Sequence, residues 1–189
     1  SEGDVVEVQV VGIERAVIFR AIPPLVEEAL RGRRALLGDG EDFSYVDAAV
    51  CAVEKLVQES TSGDILLFMP GEHDIRETRD LLKGLAAEIV PLFGRLTAAE
   101  QQRVFAPGPQ RRVVVATNIA ETSLTIPRIR YVVDAGLARL NRFNPSTQTQ
   151  RLPIEAISRS SCDQRKGRCG RVQDGICVRL YSEEDFLSR

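Results

Sequence analysis

Asp64-Ile65-Leu66-Leu67-Phe68-Met69-Pro70-Gly71 is the stretch that decides the fold. From Ile65 to Met69 apolar residues follow one another without alternation, so a strand built from them is buried on both faces, and the Pro-Gly pair then stops it. Such strands belong to parallel sheets covered by helices on either side. Upstream, Ser44 opens a run in which Val46, Ala49, Val50, Val53, Leu56 and Val57 recur at helical spacing, the pattern of an amphipathic helix with one face on a core. Downstream, the pattern predicts a helix over residues 74–87 and a short strand over 89–93. Thr97 with Glu100 then forms a capping box that starts another helix. Residues 112–116 (Arg-Val-Val-Val-Ala) read as a second doubly buried strand, 130–134 as a third and 176–181 as a fourth. Strands alternating with helices in this way predict a doubly wound, mostly parallel α/β sheet.

Residues 137–154 break the alternation. Two extended stretches flank Asn144-Pro145-Ser146-Thr147, a turn cluster, and together they predict a β-hairpin that projects from the sheet. Residues 5–11 read as a strand. Residues 11–40 carry mixed signals: Pro23-Pro24 and Gly38-Asp39-Gly40 mark turns, with room for a short helix over 25–30 between them. At 189 residues the chain has the length of one compact domain, and residues 1–189 are read as one.

The formal net charge is -2, so nucleic acid cannot be held by a bulk basic excess. Any grip on a backbone must come from a few local amides, hydroxyls and arginines. The sequence shows no apolar stretch of membrane-spanning length and no basic-then-apolar leader pattern, which predicts a cytoplasmic protein with no membrane partner. Cys51, Cys162, Cys169 and Cys177 form no CxxC pair and His73 is the only histidine, so no metal site is expected and the cysteines are read as reduced, partly buried thiols.

Two segments carry chemistry. Gln164-Arg165-Lys166-Gly167-Arg168-Cys169-Gly170-Arg171 follows the serine-rich residues 158–161, which can cap a helix running through it. On a helix Arg168 and Arg171 share a face, and Gly167 and Gly170 leave that face open, so two guanidinium groups converge on one anion. Arginines supplied across an interface stabilise charge developing in phosphoryl transfer, worth roughly 10³ to 10⁵ in rate. Gln164 is spaced to orient an attacking water. A solvated, arginine-rich helix end is the other reading of two arginines alone; the glycines and the glutamine, which solvation does not need, favour the anion site. The second segment, Ala116-Thr117-Asn118-Ile119-Ala120-Glu121-Thr122-Ser123-Leu124-Thr125-Ile126-Pro127, leaves the carboxyl end of a buried strand, where open α/β sheets bind ligands. Its hydroxyls and amides suit neutral contacts to a sugar-phosphate backbone, or, taken a few at a time, a polar turn satisfying itself.

Residues 164–171, 116–126 and 65–72 resemble motifs VI, V and IV of the DEAH-box RNA helicases. Leu152-Pro153-Ile154-Glu155-Ala156-Ile157-Ser158 and Tyr181-Ser182-Glu183-Glu184-Asp185-Phe186 point, within that family, to the bacterial HrpA type. The resemblance covers residues 44–189 and matches 11–40 poorly. It implies a RecA-like domain of the P-loop NTPase kind, the second of two in such an enzyme. Gln164, Arg168 and Arg171 match positions facing the ATP γ-phosphate and its water, the arginines as fingers. Ser123 matches a position that senses the nucleotide state, and Asn118, Thr122 and Gly71 match positions on the side of a single-stranded RNA track. Phe105 matches an aromatic that stacks on adenine, although the residues alone equally describe a core phenylalanine closing an amphipathic helix. Pro127 stands where many relatives carry an acidic residue near the ribose. The resemblance further implies that the hairpin lies beside the RNA path. The sequence has no GxxxxGK[ST] loop and no acidic strand end of the Walker B kind. ATP with Mg²⁺ would therefore be bound mainly by the first RecA-like domain of the same parent chain. Two rival readings are a non-catalytic α/β interaction module and a DNA-directed helicase of the same superfamily.

Overall fold

Ser44 sets the amino end of the first long helix by a reciprocal cap. In the structure, a computed structural model that describes residues 7–11, 16–18, 44–106, 108–122, 125–144, 149–169, 171 and 174–189, the Ser44 hydroxyl accepts from the Asp47 amide at 3.2 Å. The Asp47 carboxylate in turn accepts from the Ser44 amide at 3.1 Å. Helix α1 (Tyr45–Glu59) then buries Val46, Ala49, Val50 and Val53 as the spacing predicts. Its carboxyl end is closed by Arg111, which donates to the carbonyls of Ser60 at 2.6 Å and Gly63 at 2.8 Å. A cation is favoured there by the helix dipole.

Strand β3 (Asp64–Phe68) is buried throughout, as its unbroken apolar run requires. It lies at the centre of five parallel strands. In chain order these are β3, β4 (Glu88–Leu92), β5 (Arg112–Ala116), β6 (Ile129–Asp134) and β11 (Gly175–Arg179), arranged across the sheet as β11-β6-β3-β5-β4. Two further strands, β1 (Glu7–Val11) and β2 (Ala16–Ile18), extend the edge beyond β11 in antiparallel pairing. The β1 pairing gives the expected amino-terminal strand its place; β2 falls in the segment whose signals were mixed. The expected helix over 25–30 and the turns near 23 and 38 lie outside the described residues.

Alternate residues of the strands serve opposite layers. Ile65, Leu67, Val113, Val115, Tyr131 and Val133 pack against α1 and α2 (Glu72–Leu81). Leu66, Phe68, Val114, Val132 and Cys177 meet Val104, Ala120 and Cys169 on the other face. Each fully buried side chain of this size contributes about 1.5–3 kcal/mol. Helix α2 ends at Leu81, not at residue 87: Gly84 adopts φ +93°, a left-handed turn that a continuing helix cannot contain. Thr97 and Glu100 form the expected capping box of α3 (Ala98–Gln102). Among the described residues no helix is long and apolar enough to cross a membrane.

The projecting hairpin consists of two antiparallel ladders. Strand β7 (Leu137–Arg139) pairs with β10 (Ile154–Ala156), and β8 (Arg142–Asn144) with β9 (Thr149–Arg151). Its turn, at residues 145–148, lies outside the described residues. The hairpin is rooted at Gly136, where φ is +70° and an added Cβ would stand 2.5 Å from Cδ1 of Tyr181. Gly136→Ala therefore strains the backbone and displaces a buried ring. It is expected to cost about 1–3 kcal/mol for the backbone alone, read as a lowered midpoint in urea unfolding; an unchanged midpoint would refute the requirement for glycine.

Candidate nucleotide and nucleic-acid site

The carboxyl ends of β3, β5 and β6 lie side by side, and the chain leaves all three at one edge of the sheet. Pairing continues one residue past the strands: Met69 donates to the carbonyl of Ala116 at 2.8 Å and Thr117 to that of Leu92 at 3.1 Å. The motif IV turn and the motif V loop thus start from a fixed common edge, where such sheets bind ligands. After Thr117 the loop makes a single 3-10 turn, Asn118–Ala120. Asn118 and Thr122 are exposed, while Ala120 and Glu121 are buried, so the two ends of the turn face solvent and its middle faces the core. Ser123 and Leu124 lie outside the described residues. Thr125 is exposed and Ile126 returns to the core.

Helix α4 (Arg159–Lys166) begins as expected, with the Ser158 hydroxyl accepting from the Ser161 amide at 3.2 Å. It does not run through the motif. Gly167 caps it, and the chain continues in turns in which Arg168 donates to the carbonyl of Arg165 at 3.0 Å and Cys169 to that of Lys166 at 3.3 Å. Arg168 and Arg171 therefore do not share a helical face, which corrects the sequence reading; glycine propagates a helix poorly, and here it ends one. The two arginines are neighbours nonetheless. Burial lowers the pKa of Arg168, the charge of Arg171 lowers it further, and the carboxylate of Glu121 opposes both. Two like charges held within each other's field at an open sheet edge suit an anion. Arg171 is exposed and donates from Nη1 to the Thr125 hydroxyl at 2.8 Å, tying the motif VI turn to the motif V loop. Gln164 is exposed in the last turn of α4. A Cβ at Gly167 would meet only ordinary contacts, at 3.4 Å and 3.5 Å, so nothing inside the domain demands glycine at that position. Gly170 lies outside the described residues.

Close to Arg168 and Arg171 is a buried group that the sequence reading missed. Arg165 is completely buried, with Nε donating to Glu121 Oε1 at 2.8 Å and Nη1 to Asp134 Oδ1 at 2.8 Å. Nη1 and Nη2 each reach the Leu137 carbonyl at 3.2 Å, and the guanidinium lies 4.7 Å from the centroid of the Phe68 ring. Burial alone would lower the Arg165 pKa, but Asp134 and Glu121 outweigh it and raise it. Asp134 is fully satisfied: Oδ1 also accepts from the Gly136 amide at 2.8 Å, and Oδ2 from the Tyr181 hydroxyl at 2.8 Å. Burial and the Asp134 charge both raise the Tyr181 pKa, so the hydroxyl stays a donor. One guanidinium thereby joins the end of β3, the motif V loop, the end of β6, the root of the hairpin and α4. The available signal was Asp134, an acidic strand end closing the apolar run of β6 that the sequence reading passed over.

Gly71 is buried as the N-cap of α2, without a side-chain cap. A Cβ there would stand 2.5 Å from Nε of Arg139, whose exposed side chain lies across the turn. Next to it Asp74 accepts from the Tyr45 hydroxyl at 2.7 Å. Arg139 is thus a second side chain at this edge that sequence reasoning did not single out. Phe105 follows α3 and is half-buried against the core layer that contains Val104. No described hydrogen bond or ion pair links Gly71 or Phe105 to Arg171.

Comparison with known proteins agrees with this geometry. Residues 48–173 match the helicase conserved C-terminal domain. The chain is 54% identical over 169 residues to the ATP-dependent RNA helicase HrpA of Escherichia coli, covering 88% of this chain and 12% of that protein. It is 41% identical over 154 residues to the human ATP-dependent RNA helicase DHX33, covering 75% of this chain and 22% of the relative. It therefore spans less than a quarter of the length of these relatives. Among solved structures, the E. coli DExH-box NTPase HrpB superposes with a TM-score of 0.70 at 37% identity, covering 79% of this chain and 19% of that one. The chain belongs to the helicase conserved C-terminal domain family, and within it is a RecA-like C-terminal domain of a DEAH-box helicase of the HrpA type.

Proposed function

We propose that this domain is the arginine-bearing half of an ATP-dependent RNA helicase. In this reading Gln164, Arg168 and Arg171 face the nucleotide, and Gly71, Asn118 and Thr122 line part of a single-stranded RNA track. The observation that carries it is the join between the two motifs: Arg171 bonded to Thr125 at 2.8 Å, with Arg168 beside it in the fields of Arg171 and Glu121. A guanidinium pair at the edge where the two motifs meet fits a phosphate. ATP with Mg²⁺, held mainly by the first RecA-like domain of the parent chain, supplies the γ-phosphoryl group. Arg168 and Arg171 then stabilise the charge that develops on its oxygens, and Gln164 orients the attacking water. Closure of the cleft between the two domains brings the arginines into place while the loop holding Asn118 and Thr122 shifts its grip on RNA. Ser123 senses the nucleotide state from the same loop, Phe105 stacks on the base, and the protein works in the cytoplasm. The names of the relatives support both ATP and RNA.

ATP turnover by the full-length protein and by the isolated domain, each with and without single-stranded RNA or DNA, tests this reading. RNA-stimulated turnover is expected from the full-length protein alone. Turnover by the isolated domain would refute the half-site, equal stimulation by DNA would favour a DNA-directed helicase, and an inactive full-length protein would favour an interaction module.

A further inference from the structure

The hairpin is seated on a small core of its own. Its root residues Ala138 and Ile157 are buried with Cys162 of α4 and Tyr181 in a cluster separate from the two layers that cover the sheet, and Leu140 and Phe186 pack against it. Tyr181 and Phe186 come from the segment after β11, which contains α5 (Glu183–Ser188). Arg189, the residue after α5, turns back onto the root. Its Nη1 donates to the carbonyl of Gly136, where the hairpin begins, at 2.6 Å, and to that of Ile157, where the hairpin returns, at 3.1 Å. Asp185 of α5 pairs with the same guanidinium at 2.7 Å, and the centroid of the Tyr181 ring lies 4.2 Å from it. The Arg189 side chain is 5% exposed, and its Nε is buried without a hydrogen-bond partner. A donor left unpaired in the interior costs stability, so stability alone does not account for the arrangement.

Resting on the reading that the Gly71 edge faces RNA, we propose that Arg189 is a positioning residue for the hairpin. By joining the entry and exit strands of the hairpin to α5, it sets the angle at which the arm stands over the RNA side of the domain. The ladder carries that angle to the edge. Strand β7 pairs with β10 so that Arg139 stands opposite Ile154, and Arg139 lies across the Gly71 turn, its Nε 2.5 Å from the place of a Cβ at residue 71. A rotation of the root about Gly136 therefore moves Arg139 over the motif IV turn. The other ties constrain the root less. Arg165 reaches only the entry strand, at the Leu137 carbonyl, and the bond from the Ile157 amide to the Gly136 carbonyl lies within the root itself. Among the described hydrogen bonds, those of Arg189 are the ones in which a single side chain holds both strands. An arm beside a strand path parts a duplex only if its foot keeps its angle. Arg171, by contrast, bonds Thr125 and the Gly167 carbonyl, away from that foot, so loss of Arg189 disturbs the arm and spares the nucleotide side.

The test compares duplex separation with ATP turnover in the full-length enzyme, on an RNA duplex with a single-stranded tail. In Arg189→Met the base pairs separated per ATP hydrolysed are expected to fall on the order of 10-fold, the factor that loss of one charge-assisted hydrogen bond makes in an orientation equilibrium. Turnover on single-stranded RNA should stay within about twofold of wild type. Asp185→Asn, at a side chain 44% exposed, loosens the guanidinium without opening the small core and is expected to lower the ratio less. Arg189→Lys keeps the charge and is expected to recover part of the loss. The ratio does not depend on the fraction of enzyme folded. A purely structural arginine would therefore lower the thermal midpoint and leave the ratio unchanged, and that outcome overturns the proposal. Hydrogen exchange at the Ile157 amide is a second readout, independent of activity: it is expected to quicken in Arg189→Met, and wild-type protection there would also overturn the proposal. Replacing residues 142–151 by a two-residue turn separates this inference from the reading beneath it. An unchanged ratio in that shortened enzyme would remove the arm from strand separation altogether, whereas a collapsed ratio there, with Arg189→Met unchanged, would remove only the role of Arg189.

Discussion

Alanine at Arg168 in the full-length protein is expected to lower RNA-stimulated ATP turnover by about 10³-fold or more, the range of an arginine finger in phosphoryl transfer. Arg171→Ala should act in the same direction. Arg171 is exposed, and its one strong described bond is to the Thr125 hydroxyl. In Arg171→Ala folding stability should therefore move little while turnover collapses. Nucleotide affinity, which the proposed first domain supplies, should stay near wild type in a fluorescent-nucleotide titration. Lysine should not rescue Arg168, since a point charge cannot reproduce the planar fork that grips two phosphate oxygens. Wild-type turnover in both alanine variants would remove the arginines from the reaction.

The second large effect is on stability. Arg165→Ala strands two carboxylates, Asp134 and Glu121, at positions 0% and 8% exposed. Breaking a buried ion pair from one side costs about 3–5 kcal/mol. At about 2–4 °C per kcal/mol for a domain of this length, the thermal midpoint should fall by roughly 6–20 °C. The loss should depend on pH. Stranded carboxylates take up protons more readily in the folded than in the unfolded state, so the deficit should shrink as pH falls and be largest at neutral pH and above. Adding Glu121→Met to Arg165→Met should recover part of the stability, because it removes one of the stranded charges. A midpoint within about 2 °C of wild type for Arg165→Ala would show that Asp134 and Glu121 find other partners; that threshold corresponds to the smallest loss expected per kcal/mol in a domain of this length.

The core of the fold was readable because doubly buried strands leave a plain trace: unbroken apolar runs at Ile65 to Met69 and Val113 to Val115 admit few other structures. Caps were readable for the same local reason, as at Ser44, Thr97 and Ser158, where one side chain answers one orphan amide. Helix ends were read less well. Glycine decided both: Gly84 stops α2 short of residue 87, and Gly167 ends α4 before the arginines it was expected to align. At the site, the exposed members of motif VI could be named from type and spacing. Arg165 could not, because its partners Glu121 and Asp134 come from distant segments that only the sheet order brings together. Arg139 escaped for the same reason, since it lies in β7, and β4, β5 and β6 come between it and its neighbour Gly71 along the chain.

The hairpin ladders share no strand with the seven-stranded sheet. Tilting the arm as a unit would therefore break none of that sheet's hydrogen bonds, and the resistance to tilting would be concentrated where the arm joins the domain. There the Leu137 carbonyl accepts from both terminal nitrogens of Arg165, and the Gly136 carbonyl from the Ile157 amide at 3.0 Å. In mechanical terms the hairpin is a cantilever clamped by two guanidiniums: that of Arg165, which also anchors the motif VI helix, and that of Arg189, which donates to the Gly136 carbonyl at 2.6 Å and the Ile157 carbonyl at 3.1 Å. A load on its tip would be delivered as torque to the base of the arginine pair.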